Sequence, residues 1–287
     1  MSRIAYVNGR YLPHRGASVH IEDRGYQFAD GVYEVIAVYR GRLVDEEGHL
    51  VRLDRSLREL RIQWPVAPSV LPVLMREVIA RNRIRNGIVY LQITRGVSRR
   101  EHAFPVAARP ALVITARHQS LEHPKAKTGV DIVTVPDIRW QRRDIKAIAL
   151  LPNVLAKQQA KEMGAYEAWQ VDEDGFVTEG SSTNAWIVTR DGEIVTRDAS
   201  NAILNGITRL AVIRLAKEAQ MRIVERPFTV EEAQNAAEAF LTSTTSFVLP
   251  IVKIDGKEVG EGEPGRFATR LREYYTDWLE QVAAEAE

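Results

Sequence analysis

The sequence predicts an α+β protein of two domains, on three observations. The chain has 287 residues, of which 45% are hydrophobic and 27% charged, so it can bury a substantial core. Strand-like and helix-like patterns are mixed in both halves, which favours α/β or α+β domains. A polar stretch at 119–129 contains Pro124, Lys125 and Lys127 and is typical of a linker. We therefore expect a smaller N-terminal α/β domain at 1–118 and a larger domain at 130–287.

The elements of the first half follow from turn signals and apolar spacing. An Asn-Gly pair at 8–9 predicts a hairpin between two short strands. Residues 32–39 are rich in β-branched and aromatic side chains and predict a strand. Ser69 is a candidate N-cap for a helix whose apolar face runs over 71–79. Buried strands are also expected at 88–94 and 111–116.

The second half continues the mixture of strands and helices. A strand is expected at 130–135, and a helix at 153–163 should end at Gly164. Short strands flank two turn signals, and two further helices carry apolar residues at helical spacing. These predictions place strands at 168–171, 177–179, 184–188 and 193–196, and helices at 208–219 and 265–284.

Composition and charge exclude several classes of protein. The net charge of +1 gives no electrostatic footprint for nucleic acid. There is no cysteine, so a disulfide scaffold, a thiolate metal site and a cysteine nucleophile are excluded. The six histidines form no metal-ligand motif, and no nucleophile elbow, Walker A or dinucleotide motif is found. No signal peptide or long apolar run is seen, so we expect a cytoplasmic protein without metal or membrane contact.

Lysine chemistry remains, and it has few candidates. Only eight of the 39 basic residues are lysines, and seven of the eight have the polar context of a surface lysine. Lys146 differs because the apolar residues 147–151 follow it. It could form an imine with a carbonyl compound such as pyridoxal phosphate, or it could be a lysine at a strand end with its amine in solvent. Both interpretations are open on the residues alone.

Three polar motifs follow Lys146 and fit the other parts of a pyridoxal-phosphate site. A ring nitrogen needs a carboxylate, and Glu179 stands alone among small polar residues at 178–184. A phosphate needs backbone N–H groups and hydroxyls, which 204–209 and 241–246 can supply. Each motif alone would also suit an ordinary turn or helix cap.

Seven motifs, in order along nearly the whole chain, resemble the fold-type IV pyridoxal-phosphate aminotransferases, in their D-amino-acid branch. The resemblance implies a two-domain fold in which the larger domain has a barrel-like sheet. The motifs are EDRGYQFADGVYE at 22–34, RGVSRREH at 95–102, DIRW to DIK between 137 and 146, LPNVLAK at 151–157, TEGSS at 178–182, GITR at 206–209 and TSTTS at 242–246.

The resemblance assigns the cofactor site residue by residue. Lys146 is the catalytic residue, which holds pyridoxal 5'-phosphate as an imine and moves the substrate α-proton. Glu179 pairs with the pyridine nitrogen, and Leu204 packs against the ring. Arg52 binds the phosphate, for which its planar guanidinium is suited; the alternative is a surface ion pair with Asp54 or Glu47. The remaining cofactor contacts are Gly206, Ile207, Thr208, Ser243 and Thr244.

The resemblance also implies the substrate and the partner. Tyr33, Arg100 and His102 match the residues that hold the α-carboxylate of a D-amino acid. Their loop reaches the neighbouring subunit's site in the family, which implies a homodimer. The neighbours Arg99 and Glu101 add charge to this loop, and an acidic residue usual before His49 is replaced by Gly48.

The expected reaction is transamination between a D-amino acid, of the D-alanine or D-glutamate type, and a 2-oxo acid in two ping-pong half-reactions. Relatives of the same fold leave alternatives: an (R)-amine transaminase, a branched-chain L-amino-acid transaminase or an aminodeoxychorismate lyase. As a rule the amine and branched-chain enzymes lack the Arg-x-His pair found here at 100–102. A non-catalytic module that binds a small molecule is the alternative from another class.

Overall fold

The computed structural model describes residues 3–284, which divide into two compact units. One unit holds the chain up to Leu121 together with Ile145–Ala149. The other holds Glu122–Asp144 and the chain from Leu150 onward. The domain boundaries expected at 1–118 and 130–287 stay a prediction. They differ from this division in two places. The linker expected at 119–129 is divided between the two units after Leu121, and Ala147 forms a β-bridge with Val32, which ties Ile145–Ala149 to the smaller unit.

The smaller unit is an antiparallel sheet with helices. Its six strands run in the order β2-β1-β6-β5-β3-β4. The strands are Ile4–Val7 (β1), Arg10–Pro13 (β2), Gly31–Tyr39 (β3), Arg42–Leu43 (β4), Gly87–Thr94 (β5) and Ala111–His118 (β6), and the helices are Arg24–Phe28 (α1), Glu46–Glu59 (α2) and Leu71–Asn82 (α3).

Apolar side chains of this sheet and of α2 and α3 form one core. Ile36 of β3 and Leu91 of β5 are fully buried, together with Leu53 of α2 and Met75 of α3. The prediction that Ser69 caps α3 is wrong. The helix begins at Leu71, so its N-cap residue is Val70, whose side chain makes no capping hydrogen bond. Pro72 lies in the first turn, where a missing N–H costs nothing. Helix α2 was not predicted from the sequence.

The larger unit contains a nine-stranded mixed sheet. Its main path is β12-β11-β10-β13-β14-β7-β8-β9, and β15 pairs with β14. The strands are Val130–Pro136 (β7), Glu167–Val171 (β8), Val177–Gly180 (β9), Asn184–Val188 (β10), Ile194–Thr196 (β11), Ile223–Glu225 (β12), Glu238–Ser243 (β13), Phe247–Ile254 (β14) and Lys257–Glu258 (β15), and the helices are Leu151–Glu162 (α4), Ile207–Glu218 (α5), Val230–Gln234 (α6) and Arg266–Ala284 (α7).

The helices of the larger unit agree with the apolar spacing of the sequence. Helix α7 buries Leu271, Tyr275 and Leu279, which recur every four residues along one face. Helix α4 ends just before Gly164, which has φ of +76°, a left-handed conformation that favours glycine. None of the helices within residues 3–284 is both long enough and apolar enough to pass through a membrane.

Candidate active site

Lys146 lies in the segment that returns to the smaller unit and is placed against Tyr33. The backbone N–H of Tyr33 donates to the carbonyl of Lys146 at 3.0 Å. The Lys146 Nζ stands 4.2 Å from the centroid of the Tyr33 ring. No carboxylate among the described residues of the smaller unit pairs with this amine. The Lys146 side chain is half-buried, and its amine has no ion-pair partner among residues 3–284.

Arg52 belongs to a buried cluster of charged side chains between α2 and β3. Its Nε and Nη2 atoms each donate to a different oxygen of the Glu34 carboxylate, at 2.8 Å. The Nδ1 atom of His49 lies 2.7 Å from the Glu34 Oε2 atom. The sequence leaves a surface ion pair of Arg52 with Asp54 or Glu47 as an alternative, but Arg52 pairs with Glu34, because α2 turns this face of the helix inward.

The protonation of this cluster follows from burial and charge. Burial alone would raise the pKa of Glu34, but the charge and hydrogen bonds of Arg52, with a contribution from His49, lower it to about 2. Burial lowers the pKa of His49, and the charges of Arg52 and Lys146 lower it further. The hydrogen bond and charge of Glu34 act in the opposite direction but do not cancel this decrease. His49 is therefore neutral at pH 7 and donates its Nδ1–H to an ionised Glu34.

Arg100 and His102 converge on one aromatic ring. The Arg100 guanidinium lies 4.6 Å from the centroid of Phe28, and the His102 ring centroid is 5.4 Å from it. Both residues are exposed, on the loop between β5 and β6. No carboxylate among the described residues of the smaller unit pairs with Arg100. The two side chains therefore lie close to the same ring, and the Arg100 guanidinium is a cation that could bind an anion.

Glu179 is the centre of a second charged cluster, in the larger unit. Its carboxylate accepts a short hydrogen bond from the Arg139 Nη1 atom. The other carboxylate oxygen accepts the backbone N–H of Leu204 and the side-chain amide of Asn184, each at 3.0 Å. Arg139 also donates to both oxygens of Asp137, at 2.9 and 2.7 Å. Glu179 is 5% exposed, so these partners replace water around its charge.

The two carboxylates that share Arg139 respond differently to burial. Burial raises the pKa of Glu179, although the charge of Arg139 and the N–H of Leu204 oppose the rise. Burial also acts upward on Asp137, but hydrogen bonds from Arg139 and Thr178 and the charge of Arg139 lower its pKa. Glu179 is thus a carboxyl group whose proton affinity depends on Arg139.

Four of the predicted residues of the larger unit lie at or just before the start of α5. Leu204, which is hydrogen-bonded to Glu179, lies three residues before the first residue of the helix, and Ile207 and Thr208 are buried in its first turn. A Cβ atom added to Gly206 would stand 2.1 Å from the Oδ1 atom of Asn184. Only glycine leaves Asn184 free to bond Glu179 here.

Ser243 and Thr244 lie at the turn between β13 and β14. The Ser243 hydroxyl accepts the backbone N–H of Ser246 at 3.1 Å and lies 3.4 Å from the Thr245 hydroxyl. Both Ser243 and Thr244 are half-buried, and α5 packs against β13. The turn therefore places hydroxyl groups at the end of the strand against which α5 packs.

Several charged partners in these clusters were not recognised as functional from the sequence. In the sequence, Glu34 is only the end of a motif, Asn184 has no predicted role, and Arg139 is predicted only to add positive charge before Lys146, not to pair with Glu179. The one available signal was Glu34 itself, a charged residue inside an apolar strand, which requires a buried partner. Among residues 3–284 no group of three or more acidic or histidine side chains is arranged to hold a metal ion.

Comparison with known families and structures identifies the class of protein. The family of class IV amino-transferases is matched over residues 31–254. The chain belongs to the class IV aminotransferase family. Its members use pyridoxal phosphate, which confirms the cofactor predicted from the sequence.

Two relatives cover nearly the whole chain. D-alanine aminotransferase of Staphylococcus aureus is 39% identical over 276 residues, which is 96% of this chain and 97% of the relative. D-alanine aminotransferase of Bacillus licheniformis is 41% identical over 260 residues, which is 90% of each chain. The predicted membership of the fold-type IV aminotransferases is confirmed.

Two solved structures share the fold. The branched-chain amino acid aminotransferase of Escherichia coli has a TM-score of 0.90 at 24% identity and covers 96% of this chain and 94% of its own. The branched-chain aminotransferase of Thermoproteus uzoniensis with norvaline has a TM-score of 0.87 at 25% identity, covering 97% of this chain and 95% of its own. The α+β fold-type IV architecture is confirmed, with a curled half-barrel sheet in the larger unit.

Proposed function

We propose that the chain is a pyridoxal-phosphate transaminase that moves the amino group of a D-amino acid, of the D-alanine or D-glutamate type, to a 2-oxo acid. The full-length similarity to D-alanine aminotransferases supports this choice of substrate. The structural observation that carries the proposal is the Lys146 amine, which lies against Tyr33 and has no ion-pair partner in the part of the chain that the structure describes. A transaminase needs such an amine to hold the cofactor and to move a proton.

The residues of both units fit the chemistry of the cofactor. In the smaller unit, Lys146 would hold its aldehyde carbon, and Arg52 would bind its phosphate. In the larger unit, Glu179 would pair with its ring nitrogen and Leu204 would pack against the ring. When bound, pyridoxal phosphate supplies the carbonyl that takes up the amino group and a ring that withdraws electrons. The further contacts proposed are Gly206, Ile207, Thr208, Ser243 and Thr244.

The proposed cofactor contacts are supported by the fixed orientation of the Arg52 and Glu179 side chains. The Arg52 guanidinium has five N–H donors, and the Glu34 carboxylate fixes its orientation with two of them. The buried Glu179 carboxylate is fixed by Arg139, Asn184 and Leu204. Groups held in this way do not reorganise when a ligand arrives, which is how binding and catalytic sites gain affinity and rate.

The chain's own groups perform the proton transfer and the choice of substrate. The Lys146 amine, once free, would take the proton from the α-carbon of the amino acid and deliver it to the cofactor carbon that receives the amino group; with the 2-oxo acid acceptor it would move a proton in the reverse direction, to the α-carbon of the new amino acid. Tyr33, Arg100 and His102 would bind the α-carboxylate, for which the Arg100 guanidinium offers a bidentate donor. A simple amine has no such carboxylate, so Arg100 would favour amino acids over amines.

We also propose a homodimer that acts in the cytoplasm. The homodimer is what the family resemblance of the loop at 95–102 implies. Sedimentation equilibrium would test the assembly, since a monomeric active enzyme would overturn it. Fractionation of the source cells would test the location.

The proposed activity is tested by half-reactions of the purified protein with bound pyridoxal phosphate. The absorption band of the bound cofactor should change faster with D-alanine or D-glutamate than with their L forms. Borohydride should attach the cofactor permanently to Lys146, as peptide mass spectrometry would show. Faster reaction with L-leucine would contradict the substrate class, and a protein that binds no cofactor would contradict the activity altogether.

Arg100 can be tested against a matched neighbour. Arg100→Leu should lower kcat/KM for D-alanine by about 100-fold, since a charge-assisted bidentate contact is lost. The loss for a simple (R)-amine should be much smaller. Arg99→Leu removes an adjacent exposed arginine and is the control. Equal losses for the two variants would contradict the role of Arg100.

A further inference from the structure

Helix α1 lies within the motif at 22–34 and contacts the motif at 95–102. Neither the sequence nor the proposed function explains why these two motifs are in contact. The segment before and within α1 pairs with the start of the loop between β5 and β6. Asp23 and Val97 form an isolated antiparallel β-bridge, and the Arg24 N–H donates to the Gly96 carbonyl at 2.9 Å. The side chain of Asp23 caps α1 through the N–H of Gly25. The helix is therefore fixed to the base of the loop.

Arg24 also binds the middle of the same loop. Its side chain is 3% exposed, and its Nη1 and Nη2 atoms donate to the carbonyls of Glu101 and His102, at 2.5 and 3.3 Å. Its Nε atom donates to Asp30 at 2.8 Å. The buried Arg24 guanidinium thus binds the main chain at Glu101 and at His102, next to Arg100.

Asp30 keeps Arg24 in this position because it is itself held by a second arginine. The Arg95 Nε and Nη2 atoms donate to the two oxygens of Asp30, at 2.7 and 3.0 Å. Burial acts to raise the pKa of Asp30, but its hydrogen bonds to Arg95 and Arg24 and their charges lower it. The carboxylate is therefore charged at neutral pH and bridges two buried cations.

Phe28 lies on the same side of α1 as Arg24, one turn further on, and supports both candidate carboxylate-binding side chains. Its ring centroid is 4.6 Å from the Arg100 guanidinium carbon, 4.8 Å from that of Arg24 and 5.4 Å from the His102 ring. The negative face of an aromatic ring attracts a cation, so Phe28 limits where Arg100 can lie. An exposed arginine otherwise loses much rotamer freedom on binding.

We infer that Arg24 and Phe28 are positioning residues that set Arg100 and His102 in place for the substrate carboxylate. This inference rests on the proposed function and extends it to a pair of residues that need not contact the substrate. Arg24 fixes the main chain of the loop, and Phe28 fixes the two side chains. Such preorganisation lowers the entropy cost of binding and leaves the chemistry at Lys146 unchanged.

The test compares steady-state kinetics of Phe28→Leu and Phe28→Tyr in the enzyme loaded with pyridoxal phosphate. Leucine keeps apolar volume but removes the aromatic ring, whereas tyrosine keeps the ring. Phe28→Leu should raise KM for D-alanine and for a 2-oxo acid about tenfold, with kcat within about twofold. Phe28→Tyr should restore KM to near the wild-type value. Tyr11→Leu, which removes an arginine–aromatic contact with Arg81 elsewhere in this unit, should leave KM unchanged.

A second variant keeps the test decisive if Phe28→Leu does not fold. Arg24→Lys keeps a charge beside Asp30 but cannot donate to both loop carbonyls, and it should also raise KM more than it changes kcat. An unchanged KM would overturn the inference, as would a rise in KM that is matched by an equal fall in kcat in all variants. In either case, activity of the wild-type enzyme on D-alanine would still uphold the proposed function. A wild-type enzyme without activity on D-amino acids would overturn both.

Discussion

Glu34 on β3 holds Arg52 on α2 by two parallel hydrogen bonds of 2.8 Å. Both side chains are buried, and the side chain of Glu34 is 1% exposed. Bidentate pairing leaves a guanidinium little freedom to rotate, so the donors that Glu34 does not use point in a fixed direction. The proposed phosphate contact of Arg52 therefore depends on a residue that lies 18 positions earlier in the chain.

Glu34→Gln should weaken the binding of pyridoxal phosphate. The amide cannot balance the buried charge of Arg52 and offers only one acceptor oxygen, so the guanidinium should lose its fixed orientation. We expect the dissociation constant to rise at least tenfold, which corresponds to about 1.4 kcal/mol. Equilibrium dialysis against pyridoxal phosphate measures it. Asp54→Asn, which changes an exposed ion pair with Arg58 on the same helix, is the control.

The same cluster predicts a loss of stability in acid. The folded-state pKa of Glu34, about 2, lies below its ordinary value of 4.5. Its contribution is therefore complete above pH 4.5 and is lost as the pH falls toward 2, with a total of about 3 kcal/mol. Urea unfolding between pH 6 and 3 should show a smaller loss of unfolding free energy in Glu34→Gln than in the wild type.

His49 acts in the same direction at a higher pH. Its folded-state pKa is lowered from 6.5, chiefly by burial, so the folded protein resists its protonation. Stability should accordingly begin to fall once the pH drops below 6.5. A wild-type curve that is flat from pH 7 to 3, with the same slope in Glu34→Gln, would contradict this account of both groups.

Arg139 should control both the stability of the larger unit and the protonation of Glu179. Arg139→Met leaves Glu179 and Asp137 buried without their shared cation, which should cost about 3 kcal/mol or more. The pKa of Glu179, already raised by burial, should rise further, so the neutral carboxyl would hold a protonated ring nitrogen less well. Urea unfolding and the pH dependence of the bound cofactor's absorption measure the two effects.

Arg142→Met is the matched control for Arg139→Met. Arg142 lies in the same segment and also pairs with an aspartate, Asp144, but its side chain is 37% exposed. Although Asp144 is buried, solvent screens the more exposed charge of Arg142, so this variant should cost less stability than Arg139→Met and should leave the absorption of the bound cofactor unchanged. Equal effects of the two substitutions would contradict a specific role of Arg139.

The chemistry of the site was more predictable than the helices that position it. Lys146 and Glu179 could be selected because lysine is scarce and because a lone carboxylate stands among small polar residues. Helix α2 was missed because its buried face carries His49, Arg52 and Ser56 among leucines, which interrupts the apolar stripe that predicts a helix.

Long-range pairs were the other part that the sequence did not predict. Local spacing suggested Asp54 or Glu47 as partners of Arg52, and the structure pairs it with Glu34 instead. The contact of Phe28 with Arg100 joins residues of two motifs that no spacing rule connects. Such pairs arise from the order of strands in the sheet, where β3 and β5 are neighbours, and that order is not a local property of the chain.

Gly206→Ala should disturb Glu179 through Asn184. The backbone of Gly206 has φ of −65°, which alanine adopts readily, so the cost comes from its Cβ atom, 2.1 Å from the Asn184 Oδ1 atom. Asn184 would have to move, and its bonds to Glu179 and to the Leu204 carbonyl would be lost. We expect cofactor affinity to fall about tenfold, as equilibrium dialysis would show. Gly16→Ala, where a Cβ meets no atom within 4 Å, is the control.

A double-mutant cycle separates this route from a simple effect on helix α5. If the methyl group acts by displacing Asn184, then Asn184→Ala should reduce affinity by itself and should also make room for the alanine at 206. The double variant should then bind the cofactor about as well as Asn184→Ala alone, so the two losses would not add. Full additivity would show instead that Gly206→Ala acts on the N-terminus of α5, where alanine is a poorer capping residue than glycine.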